Sequence, residues 1–334
     1  MAECEVMVQS PDFKDRKVRL VVFGVLQIIL GSIIMLIAML TIFGVIMIAV
    51  RKNAGADVNV KAMIPGLLVY IPAAVWFIWM GIGSIKTRRW ARALILVSSW
   101  LWLICGVLGF VFLLRFLPNM YDRMAENGQM PKAAVMAVKC VMMTFMAVLY
   151  VIIPGLLVLF YNGRNVKATC EYRDSKVRWT DKCPLPVLAI SLVTVGWAIS
   201  MLWMAIYNWT IPFFGSILSG ISGAIVILAL ILLLAYVAYG IYKLNIKAWW
   251  CALLIIIGWS LSTIMTLLRV GMRTYYEKMG ISEQQLVLAQ QHGNNIFGAD
   301  MNLLLGIWAV VVIAYLLYVR KYFKSISQKG SQDV

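Results

Sequence analysis

A chain of 334 residues has the length of two ordinary soluble domains, yet 63% of it is hydrophobic, only 13% is charged and its mean hydropathy is +0.88. A soluble domain is about a quarter charged, so a water-solvated fold is excluded. The net charge of +16 does not point to nucleic acid, because the bases gather in short stretches between long apolar runs, which is the pattern of membrane topology.

Apolar runs at about 20–50, 65–85, 91–114, 134–160, 186–207, 214–241, 249–268 and 301–319 predict eight spans, since about 20 apolar residues cross roughly 30 Å of hydrocarbon. The runs are continuous and lack two-residue alternation, which favours helices over a β-barrel. The predicted fold class is an all-α polytopic transmembrane helical bundle. The first run is longer than a bilayer and must tilt or project. The leader before it carries acids as well as bases, and the run is too long for a signal-peptide core, so it reads as an uncleaved span. On one face of it lie Gly24, Gln27 and Gly31. The glycines suit close helix packing, and Gln27 is a polar group at membrane depth.

The 115–132 connection holds Pro118 and reads as an outer loop. In the fourth span, Lys139 is the sole ionisable residue well inside a predicted span, where an isolated charge costs about 3 kcal/mol or more. Either its stem snorkels to the headgroups, or it meets an anion or lipid headgroup in a polar cavity. Asp300 is the best distant counter-ion. Residues 162–185 form a polar linker ending Cys183-Pro184-Leu185-Pro186. Cys170 and Cys183 flank it and offer a weak metal site or a disulfide. The predicted sixth span carries a small-residue row, Gly215, Ser219 and Gly223, of the kind that packs helices. Hydroxyls at Ser260, Ser262, Thr263 and Thr266 either wet a cavity or bond back to helix carbonyls. In the 269–300 connection, Ser282 and Gln285 are spaced as a capping box that opens a short surface helix ending near Gly293.

With both termini in the cytoplasm, twenty bases fall on the inner side and nine on the outer. This bias predicts a cell (inner) membrane protein with N and C termini inside, its inner face attracting anionic membrane lipids.

The chain also resembles itself. Gly83-x-x-Lys86 pairs with Gly240-x-x-Lys243, Trp90-Ala91-Arg92-Ala93-Leu94 with Trp249-Trp250-Cys251-Ala252-Leu253, and Leu113-Leu114-Arg115 with Leu267-Leu268-Arg269. This order predicts two parallel four-span repeats, 1–161 and 186–322, joined by the 162–185 cytoplasmic linker and followed by a 323–334 tail. The inner hairpins place Lys86, Arg88, Arg89 and Trp90, and then Lys243, Lys247 and Trp249, where such residues anchor helix ends at headgroup level. The stretch Gly83 to Arg92 resembles the inner hairpin of small bacterial four-span membrane proteins of unknown function, a likeness that implies no activity.

None of the fourteen acids falls within a predicted span, which weighs against proton- or sodium-coupled transport and against an intramembrane aspartyl dyad. His292 is the single histidine, so a Ser–His hydrolase or a structural zinc site lacks partners. No catalytic residue, metal or cofactor is predicted. The sequence therefore reads as a non-enzymatic scaffold or accessory subunit with a protein partner or a second copy of itself, and without nucleic acid. The alternative is a transporter or channel for a lipid or small solute.

Overall fold

The computed structural model describes residues 13–50, 64–126, 131–281 and 299–329. Nearly all of them are helical: α1 Lys17–Val50, α2 Ile64–Ile85, α3 Arg89–Glu126, α4 Lys132–Ala147, α5 Ile153–Tyr161, α6 Arg164–Arg173, α7 Leu185–Met201, α8 Gly220–Tyr242, α9 Ile246–Val270, α10 Met272–Lys278 and α11 Ala299–Lys329. Among the described residues, seven helices are long and apolar enough to cross a membrane, and the apolar stretch Val69–Ile85 is a shorter one. The molecule is an all-α polytopic membrane protein. The chain divides into two compact units, Met1–Lys182 and Cys183–Val334. His292 and the Ser282–Gln285 capping box lie outside the described residues.

In the first unit α1 and α2 form the most intimate pair. A side chain at Gly24 would strike the Gly81 carbonyl at 2.8 Å, and one at Gly31 would meet the Ala74 carbonyl at 3.0 Å. Close backbone approach of this kind replaces the hydrophobic drive that is absent between helices in lipid. Helix α3 continues through 115–126, which the sequence assigns to a loop. The fourth span is α4 and α5 joined by a π-helical turn, Val148–Ile152. Pro154 explains that turn. It lacks an N–H, and its ring conflicts with the carbonyl four residues back, that of Tyr150. The displaced Tyr150 carbonyl lies against Gly106 of α3, where no side chain would fit.

The second unit departs from the sequence reading at 214–219. Here α7 runs into a 3-10 segment, Leu202–Tyr207, and then a two-stranded antiparallel hairpin, β1 Ile211–Phe213 and β2 Ser216–Leu218. The turn residues Phe214 and Gly215 have φ of 39° and 85°, the paired positive values that two-residue hairpins require. Thus Gly215 is a turn residue and Ser219 precedes α8. Only Gly223 lies within the helix, where it packs against the Trp209 carbonyl. The predicted three-residue row therefore does not exist on one helix face.

Candidate functional site

Three features organise the polar groups. The first is a charged cap on the first unit. After Tyr161 the chain turns at Gly163 into α6, and a 3-10 turn, Trp179–Asp181, comes next. The sequence sets 162–185 apart as a linker, yet its residues 164–173 pack onto α1, α3 and α5, and 179–181 onto α3. Its centre is Asp174, 3% exposed. The carboxylate accepts from Arg178 Nε at 3.3 Å and Nη2 at 3.2 Å, from Arg88 Nη1 at 3.4 Å and from the Arg89 backbone N–H at 3.3 Å. Burial opposes its ionisation, but the hydrogen bonds from Arg178 and Arg89 and the charges of Arg178 and Arg88 outweigh it and hold the carboxyl below its ordinary range. Arg89 also donates to the Glu171 carbonyl at 3.0 Å. On the other flank, Arg173 pairs with Asp15, which lowers that carboxyl, and the Arg16 backbone N–H donates to Thr169 Oγ1 at 3.0 Å. Burial pushes the Cys170 thiol up to about 11.

Beneath this cap lies a small polar cluster. Ser84 Oγ is 2.6 Å from the Tyr161 hydroxyl and donates to the Leu20 carbonyl at 2.9 Å, with Gln27 beside the same phenol. Gln27 is buried, and its amide oxygen has no hydrogen-bond partner. Lys139 is half-buried on α4, far along the helical run that ends at Tyr161. From Lys139 to Tyr161 the helix runs roughly 30 Å, so Gln27 and Lys139 belong to separate environments and do not form one polar site.

The second feature is the strap on the β-hairpin of the second unit. Ser262 Oγ accepts from the Phe214 N–H at 2.9 Å and contacts the Pro212 carbonyl at 3.1 Å. Thr266 Oγ1 accepts from the Gly215 N–H at 3.0 Å and donates to the Ser262 carbonyl at 2.7 Å. Backbone amides of a turn packed against a helix need such partners. Thr210 is fully buried and donates to the Lys278 carbonyl at 3.1 Å.

The third feature is a cavity of about 390 Å³ within the second unit, among α7, α8, α9 and α11. Its walls include Trp197, Trp259, Trp308 and Val237, and none of its lining residues is ionisable. Three of its four hydroxyls are turned back on their own helices: Thr194 to Ile190, Ser200 to Trp197 and Thr263 to Trp259. The fourth hydroxyl is Ser260.

The two hairpins around Thr87 and Leu244 share a backbone motif. In the first, the Arg88 N–H donates to the Gly83 carbonyl and the Thr87 N–H to the Ser84 carbonyl; in the second, Asn245 donates to Gly240 and Leu244 to Ile241. Thr87 and Leu244 have φ of 51° and 59°, so each helix ends in a Schellman turn. Gly83 faces the Ala91 methyl and Gly240 the Ala248 methyl. The turn therefore aligns Ala91 with Ala248, two residues out of step with the Trp90–Trp249 match drawn from sequence.

The predicted anchors fall into different settings. Lys86, Lys243 and Lys247 are exposed. Arg88 and Arg89 serve the Asp174 cap, and Trp90 stacks on Trp79 at 4.6 Å. Trp249 is not an interfacial anchor. It is 1% exposed, donates to the Leu316 carbonyl at 2.9 Å and lies under the Arg320 guanidinium at 5.1 Å, because α11 covers it. Cys170 and Cys183 are both buried free thiols, and among the described residues no group of three metal-ligating side chains occurs. Asp174 and the hairpin strap are missed by sequence reasoning, since a loop aspartate and an apolar Ile-Pro-Phe-Phe-Gly stretch carry no signal of burial or turn.

The chain matches no protein-family model, no curated protein and no solved structure.

Proposed function

We propose that this membrane protein is a non-enzymatic scaffold or accessory subunit, built as two tandem four-span units with both termini on the basic, cytoplasmic side of the cell membrane. The observation that carries this reading is the lining of the cavity in the second unit, which has no ionisable residue. Acid–base and nucleophilic catalysis need titratable groups in mutual reach at a pocket. Several polar side chains elsewhere hold elements together, as in the Ser84–Tyr161 pair and the Ser262–Thr266 strap. The shared Schellman turns and glycine–alanine contacts support the duplication.

A second reading, carriage of a lipid or other apolar molecule, is favoured by the same cavity, whose size lies within the range of ligand sites and whose walls suit a hydrocarbon segment. Affinity purification from native membranes, with quantitative mass spectrometry of the eluate, separates the two. A stoichiometric partner protein supports the accessory role. Purification alone, together with lipid movement in proteoliposomes that Ala309→Trp abolishes by filling the cavity, overturns it in favour of carriage.

A further inference from the structure

A separate cavity of about 570 Å³ opens on the first unit where α1 begins and α5 ends. Its upper wall carries Arg16, Arg19 and Arg164, and its lower wall Phe23, Leu156 and Leu159. From these walls we infer that the cavity is a binding site for an anionic phospholipid, its phosphate among the three arginines and an acyl chain along the apolar wall.

Four observations converge. First, Arg16, Arg19 and Arg164 have no carboxylate within ion-pair distance among the described residues, whereas Arg88, Arg173 and Arg178 nearby are all paired. The positive charge of the pocket is left for a ligand, and guanidinium is the side chain best shaped for phosphate oxygens.

Second, the charge sits against the local field. The first turn of the ten-residue α6 contains no acid and begins with Arg164, with Lys167 one turn on, and its cap residue Gly163 has no side chain to satisfy the free amides. Cations are unfavourable at the positive end of a helix dipole. An anion there relieves both the repulsion and the unfilled N–H groups.

Third, the site is built. The Arg16 backbone is bonded to Thr169, and Asp15 pairs with Arg173, so the start of α1 is fixed to α6. Phe23 stacks on Phe160 with centroids 4.1 Å apart and closes the floor. These contacts hold the arginines in place while leaving their guanidinium groups available.

Fourth, the pocket straddles a solvent boundary. Leu156 and Leu159 on α5 are 54% and 76% exposed, apolar surface that only hydrocarbon can cover. One turn further along the chain the lining becomes basic. A free inorganic phosphate satisfies the arginines but leaves this apolar wall uncovered, and a phospholipid satisfies both. The inference stands whether the protein is an accessory subunit or a carrier.

The test uses the full chain, stripped of lipid in a zwitterionic detergent and titrated with phosphatidylglycerol, phosphatidylcholine or inorganic phosphate under native mass spectrometry. Wild type is expected to retain one phosphatidylglycerol in preference to phosphatidylcholine, and excess inorganic phosphate is expected not to displace it. The R16Q/R19Q/R164Q variant should bind it roughly a hundredfold more weakly. K243Q/K247Q, which removes two bases from the other unit, should bind as wild type does. Should the triple variant fail to fold, Arg164→Gln alone, on an exposed side chain, is expected to weaken retention several-fold, and equal retention would overturn the proposal. Equal retention by a folded triple variant, or a preference for phosphatidylcholine, also overturns it. Full displacement by inorganic phosphate assigns a phosphate site and overturns the lipid.

Discussion

The hairpins around Thr87 and Leu244 begin alike and finish differently. Each ends its first helix in a Schellman turn with a non-glycine residue in the left-handed region, Thr87 or Leu244, and each sets a glycine against an alanine methyl. Above that shared turn, the first unit places a buried carboxylate between Arg88 and Arg178. The second has Asn245 capping its helix at 3.0 Å and Arg320 resting on the rings of Trp249 and Trp250. The turn is dictated by backbone geometry and two small residues, so it tolerates different neighbours. The chemistry above it depends on what packs there: α6 and the aspartate that follows it in one unit, the later part of α11 in the other.

Breaking the cap should show the largest asymmetry. Asp174→Asn removes the carboxylate and leaves Arg88 and Arg178 crowded without compensation, costing about 3 kcal/mol, whereas the second unit contains no carboxylate counterpart among its described residues. Thermal unfolding in detergent, read together with proteolysis at 162–182, should report a marked loss. The sign of the pH dependence is set by the same groups. The folded carboxyl titrates below its ordinary value of 3.8, so its stabilisation is complete above that value and is lost as pH falls through the lower folded one. The Asn variant should lack that acid-side loss. Cys170 behaves differently: burial raises its thiol from the ordinary 9.0 to about 11, so its stabilisation is present below 9.0 and is lost as pH rises towards about 11.

The shared turn is tested by Gly83→Ala and Gly240→Ala. Each added methyl collides with the facing alanine, and at Gly83 also with the Trp90 ring, so each should cost about 2 kcal/mol, with Gly83→Ala lowering Tm at least as far as Gly240→Ala. A negligible shift in either would break the equivalence of the hairpins. A smaller effect is expected in the strap, where Thr266→Val leaves the Gly215 N–H without its acceptor and should cost about 1 kcal/mol. Hydrogen exchange at Gly215 should rise in that variant, while Phe214 keeps its Ser262 acceptor, and both should stay unchanged in Thr263→Val, whose hydroxyl serves only its own helix.

The spans are legible in the sequence because lipid demands length and apolarity, which a single chain displays openly. Gly24 and Gly31 can be placed on a packing face by helical spacing alone. The β-hairpin is not legible: Ile211 to Leu218 is as apolar as a span, and its turn uses Phe214, a residue that does not announce a positive φ. Trp249 beside Lys247 reads as an anchor until α11, some sixty residues later, covers it. Asp174 looks like a solvated loop acid because its partners Arg88 and Arg89 are over eighty residues away. The basic pocket is equally hidden, since Arg16 and Arg164 meet only once α1 and α6 are bonded through Thr169.

Hydrocarbon, not water, covers faces such as Leu159 at 76% and Ile221 at 82% exposure, and every assignment of helix packing above rests on that solvent. Alkaline carbonate extraction of native membranes tests it directly. The chain is expected to stay wholly in the lipid pellet and to leave it only with detergent; folded chain in the aqueous supernatant would contradict the membrane setting.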